Sequence, residues 1–67
     1  PGWDFTAHQL NGKVLLTLIN LEEANDLVFQ VDVGRARVLE ARHAQESGEH
    51  QWLVRPGQIG FIILQRE

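Results

Sequence analysis

Apolar residues recur at every second position in short runs along this chain, and the runs are parted by residues that favour turns. Leu27, Phe29, Val31 and Val33 alternate with Val28, Gln30 and Asp32, a period of two that sends one row of side chains inward from a strand. Turn signals at Asn11-Gly12, Asn25-Asp26, Gly34 and Pro56-Gly57 divide the whole chain into about six such segments, with no internal repeat or linker. The rhythm predicts an all-β fold, a small antiparallel β-sandwich of about six strands in a single domain spanning residues 1–67.

The sharpest local signal is Asn11-Gly12. A two-residue type I′ turn needs positive φ at both central positions, and Asn and Gly tolerate it best. With Leu10 and Lys13 flanking the turn, Phe5 faces Leu18, Ala7 faces Leu16 and Gln9 faces Val14 on one side, with Trp3 further along. Thr6 then meets Thr17 and His8 meets Leu15 on the other.

Residues 35–45 read less cleanly, because Ala, Arg, Leu, Glu and Gln also suit a helix that Gly48 would follow. Their apolar positions make no helical stripe, and a strand over 36–41 followed by a polar hairpin loop over 43–51 fits the neighbours better. Trp52 and Val54 then resume the alternation, and Ile59, Phe61 and Ile63 form the inward row of a last strand.

Two strands are apolar on both rows. Leu15 and Ile19 accompany Leu16 and Leu18, and Ile62 and Leu64 accompany Ile59, Phe61 and Ile63. A chain this short lacks the residues to cover both faces of two such strands, so Leu15, Ile19, Ile62 and Leu64 are expected to meet a neighbouring domain or a second copy of the chain. A chain that starts at Pro1 and has no methionine reads as a processed or excised piece of something longer, which points the same way.

Composition narrows the function classes. The hydrophobic fraction of 43% supports a folded domain over disorder. There is no cysteine for a disulfide and no Cys/His spacing for a structural zinc. The longest apolar run, Val14 to Leu21, is far short of the roughly twenty residues of a membrane helix. Nine acids against six bases give a formal charge of −3, which argues against nucleic acid. Arg35, Arg37 and Arg42 lie close together but are interleaved with Glu40 and followed by Glu46 and Glu49, the pattern of a solvated strand face.

Catalytic signals are weak. Ser47 is the only serine and sits beside Gly48 in a polar loop, with no base placed near it by any motif. Asp4, Asp32 and Glu40 are possible paired acids, although scattered carboxylates are ordinary on a wet β surface. His43, Glu46, Glu49 and His50 would share one side only on a helix, and His8 stands alone, so neither a metal nor another cofactor is expected. All five aromatics, Trp3, Phe5, Phe29, Trp52 and Phe61, fall on rows assigned to the interior, with Trp3 near the terminus best placed to stay exposed.

The stretch Gly12-Lys13-Val14-Leu15-Leu16-Thr17-Leu18-Ile19-Asn20-Leu21, a polar break, then Leu27-Val28-Phe29-Gln30-Val31-Asp32-Val33 resembles the C-terminal β-sandwich domains that follow the catalytic barrel of many glycoside hydrolases. The closing run Leu53-Val54-Arg55-Pro56-Gly57-Gln58-Ile59-Gly60-Phe61-Ile62-Ile63-Leu64 is similar to their last strands. In such enzymes the barrel supplies the catalytic acids and the sandwich buries a flank of the barrel. The resemblance therefore implies a non-catalytic accessory role and assigns no functional residue. A self-assembling interaction module and a small-ligand or carbohydrate binder are the alternatives.

Overall fold

The computed structural model describes residues 2–67. Seven strands follow one another: β1 (Trp3–Leu10), β2 (Lys13–Asn20), β3 (Leu27–Gln30), β4 (Ala36–Arg42), β5 (Gln45–Gly48), β6 (Gln51–Val54) and β7 (Ile59–Arg66). They form two antiparallel sheets, a four-stranded one in the order β1-β2-β7-β4 and a three-stranded one in the order β3-β6-β5. No helix occurs among the described residues.

The first hairpin has the expected register, with Phe5 opposite Leu18, Ala7 opposite Leu16 and Leu10 opposite Lys13. Asn11 and Gly12 close it at φ of 52° and 79°, the pair of left-handed residues that a type I′ turn demands. Val31 and Val33 keep the alternation begun in β3 and pack on the core, although the ladder with β6 ends at Gln30. Residues 36–42 are extended along β7 and not helical. The polar stretch expected to be a loop contributes an additional short strand, β5, paired with β6.

Chain direction explains the layering. His43, at φ 56°, turns the chain out of β4, and β5 starts two residues later in the opposite sheet. That corner presses on Gly60, where an added Cβ would lie 2.9 Å from the Ala44 methyl and 3.2 Å from the His43 carbonyl oxygen. A side chain at Gly60 would therefore push the two layers apart.

The core lies between the sheets and comprises Val14, Leu16, Leu18, Phe29, Trp52, Val54, Ile62 and Leu64. Its one buried polar residue, Asn20, is fully bonded: its Nδ2 donates to the carbonyl oxygens of Asn25 and Val54, each at 2.9 Å, and its Oδ1 accepts from Glu22 N at 2.8 Å. The end of β2 is thereby tied to the following loop and to the opposite sheet.

The assignment of rows on β7 needs correction. Ile62 and Leu64, expected to face outward with Leu15 and Ile19, are buried in the chain's own core. The ladder to β2 sets Val14 opposite Leu64, Leu16 opposite Ile62 and Leu18 opposite Gly60, and directly opposed residues share a face. Ile59 and Phe61, expected inside, are instead exposed, and Ile63 lies on their row.

Candidate docking face

The outer face of the four-stranded sheet can be read row by row from its ladders. Thr6, Thr17, Phe61 and Arg42 form one cross-strand row, and His8, Leu15, Ile63 and Glu40 the next. Ile19 and Ile59 pair at one end, while Lys13, Gln65 and Arg37 close the other. The two central strands thus present Leu15, Ile19, Ile59, Phe61 and Ile63 as one apolar stripe, between a margin of Asp4, Thr6 and His8 on β1, ending in the exposed Leu10, and a charged margin on β4.

Leu15, Ile59 and Phe61 are 37%, 44% and 41% exposed, unusually wet for large side chains at the middle of a sheet. Together the stripe leaves on the order of 300 Å² of apolar surface in water, the size of the largest apolar patch on an ordinary monomer. At about 25 cal/mol per Å², covering it would contribute several kcal/mol. Of the four residues expected to contact a partner, Leu15 and Ile19 lie on this face and Ile62 and Leu64 do not.

A second apolar feature lies at the open side of the sandwich. The four-stranded sheet overhangs the three-stranded one, and every residue of β1 is exposed. Trp3 meets Phe29 edge to face at 6.1 Å, and with Phe5, Leu27, Val28 and Val31 they line an open groove of about 500 Å³. Trp52, by contrast, is buried.

The acids considered for catalysis are dispersed. Asp4 accepts from the backbone N–H of Phe5 at 2.8 Å, Asp32 accepts from Gly34 N at 2.9 Å, and Glu40 pairs with Arg42 Nε at 2.6 Å on β4. Ser47 lies in β5 with neither a base nor a cleft assigned to it. His50 Nε2 stands 3.7 Å from both an Asp32 and a Glu49 oxygen, all at the surface, whereas His43 is committed to the β4–β5 corner. Among the described residues no three His, Asp or Glu side chains converge as a metal would need. Arg37 and Arg42 lie on the outer margin of β4, and Arg35 precedes that strand.

Comparison with known proteins gives no match to a family model, a curated protein or a solved structure.

Proposed function

We propose that this chain is a non-catalytic accessory β-sandwich that docks the outer face of its four-stranded sheet on a neighbouring domain. The observation that carries the reading is the stripe of exposed Leu15, Ile59 and Phe61 with half-buried Ile19 and Ile63, although the chain fills its own core from the opposite rows of the same strands. A polar margin on each side gives the stripe the build of an interface, apolar at the centre and charged at the rim. The likeness of the strand and turn pattern to the terminal sandwich of glycoside hydrolases supplies the class of neighbour, the flank of a catalytic barrel in a carbohydrate-active enzyme.

The test is side-chain footprinting of Leu15 and Phe61 in the polypeptide as its gene encodes it and in the 67-residue chain alone. Protection in the former and full reactivity in the latter are expected. Equal reactivity in the two would remove the neighbour from the account.

The exposed Trp3 beside an open groove supports a second reading, a small-ligand or carbohydrate module, because a flat ring stacks on the apolar face of a sugar. Titration of tryptophan emission with oligosaccharides, in the parent and in Trp3→Ala, separates the two.

A further inference from the structure

Sheet edges are normally guarded against pairing by charge, bulges or brevity. Three of the four edges here follow that rule. β4 carries Arg37, Glu40 and Arg42 and is bulged between Val38 and Glu40; β5 is short and bulged; β3 has four residues. β1 is the least guarded, with eight residues, a regular ladder on its inner side, no Pro, no Lys and Asp4 as its one acid.

The backbone directions on β1 are fixed by its hydrogen bonds. Leu21 N donates to the Gly2 carbonyl oxygen at 2.8 Å, so the even-numbered residues of this strand turn their backbone groups toward β2. The odd-numbered residues Trp3, Phe5, Ala7 and Gln9 turn theirs to the open edge. The Phe5 N–H, bonded to the Asp4 side chain instead of a strand, points that way.

We infer that the β1 edge is a self-pairing surface, on which the β1 strand of a second copy adds antiparallel with Thr6 on the two-fold axis. Antiparallel addition must bond odd residues to odd residues, which restricts the centred registers to alternatives two residues apart. With Thr6 on the axis, Phe5 bonds opposite Ala7 of the other copy and Trp3 opposite Gln9, so each large side chain meets a smaller or flexible one. The same register sets Asp4 opposite His8 of the other copy, twice per dimer, on the outer face. Centring on Ala7 instead would place Asp4 opposite Leu10, and centring on Phe5 would place it opposite Thr6. The match of a carboxylate to an imidazole that can donate a hydrogen bond to it thus selects one register.

Pairing would make one eight-stranded sheet from two four-stranded ones. It would also bring the overhanging rows of Trp3, Phe5 and Ala7 together, giving each groove an apolar neighbour where it now has water. This contact and the outer stripe share the polar margin of β1 but bury different groups, the edge pairing the backbone of β1 and the stripe covering side chains of β2 and β7.

Cysteine cross-linking reads the register directly, because the chain has no cysteine of its own. At a non-hydrogen-bonded antiparallel position the Cα atoms approach to about 4.5 Å, within disulfide range. Thr6→Cys is expected to give a disulfide dimer under mild oxidation. His8→Cys, whose two copies would lie roughly 13 Å apart, is expected to stay monomeric. By sedimentation the parent should show a monomer–dimer equilibrium, and Ala7→Pro, which removes only outward-facing N–H groups, should weaken it about tenfold or more. Thr6→Lys, exposed on the outer face, supplies the same loss of pairing if the proline variant fails to fold. Phe61→Glu should leave this equilibrium unchanged, which separates the edge from the outer stripe. A parent that remains monomeric at millimolar concentration, equal cross-linking at positions 6 and 8, or a dimer indifferent to both Ala7→Pro and Thr6→Lys would overturn the inference.

Discussion

Asn20, at the end of β2, donates its side-chain Nδ2 to the backbone carbonyl of Val54 in the opposite sheet at 2.9 Å. It is the one buried polar side chain of the core, and it fastens the two layers where the chain leaves the first hairpin. Asn20→Ala strands the Val54 carbonyl and releases Glu22 N together, so urea unfolding should show a loss of about 2–4 kcal/mol.

Asn20→Asp keeps the shape but turns an oxygen toward two carbonyl oxygens in place of the donor. A carboxylate buried there favours its neutral form, which raises its folded-state pKa above the unfolded value of about 3.9. The deficit against the parent should therefore be smallest below about pH 4 and widen as the pH rises toward 7. Unfolding midpoints of both proteins across that range check the sign.

Gly60 and Ala44 form a coupled pair across the layers. A Cβ at position 60 would meet the Ala44 methyl at 2.9 Å, with backbone close behind it, so Gly60→Ala should cost about 1–3 kcal/mol by overpacking. Ala44→Gly in the same chain should recover part of that loss. A double-mutant cycle measures the coupling, and simple additivity would show that the clash lies with the His43 carbonyl instead.

Neighbours Phe61 and Ile62 should respond in opposite ways. Ile62→Ala empties a fully buried core position and should cost about 2–5 kcal/mol, whereas Phe61→Glu should cost the isolated chain about 1 kcal/mol or less and raise its solubility. Equal losses would return Phe61 to the interior.

The first turn has its own signature. Gly12 sits at φ 79°, where an L side chain is strained, so Gly12→Ala should destabilise by about 1–2 kcal/mol. Amide exchange should rise first at Leu10 and Lys13, which flank the turn.

Legibility in the sequence followed chemistry. The hairpin register was readable because Asn-Gly admits few turn types and because the β1 and β2 patterns agree from the turn outward. The rows of β7 were not readable, since Ile59, Phe61 and Ile63 are as apolar as Ile62 and Leu64 and periodicity has nothing to separate. Gly60, on the second row, adds no apolar side chain to distinguish the two. The reason for a glycine there is tertiary, the β4–β5 corner lying on top of it, and no local pattern carries that information. β5 was missed because Gln45, Glu46, Ser47 and Gly48 have neither alternation nor β-branched residues; pairing with β6 makes the strand. Of the four residues singled out for apolar excess on two strands, Leu15 and Ile19 lie on the outer face, whereas Ile62 and Leu64 fill the core from the other row of β7.

The ladder between β2 and β7 sets a timetable as well as a face. Lys13 pairs with Gln65, and Arg66 N donates to the Gly12 carbonyl oxygen at 2.9 Å, so the middle of the larger sheet joins strands far apart in sequence. Such distant pairings must bear the full loop-closure entropy before any contact rewards it, and folds built on them form slowly. During synthesis the first hairpin would emerge with its apolar row unmatched and wait for the last strand. Until then β2 offers both an uncovered face and an unpaired edge, and the period of greatest exposure to misassembly is set by the arrival of the final eight-residue strand.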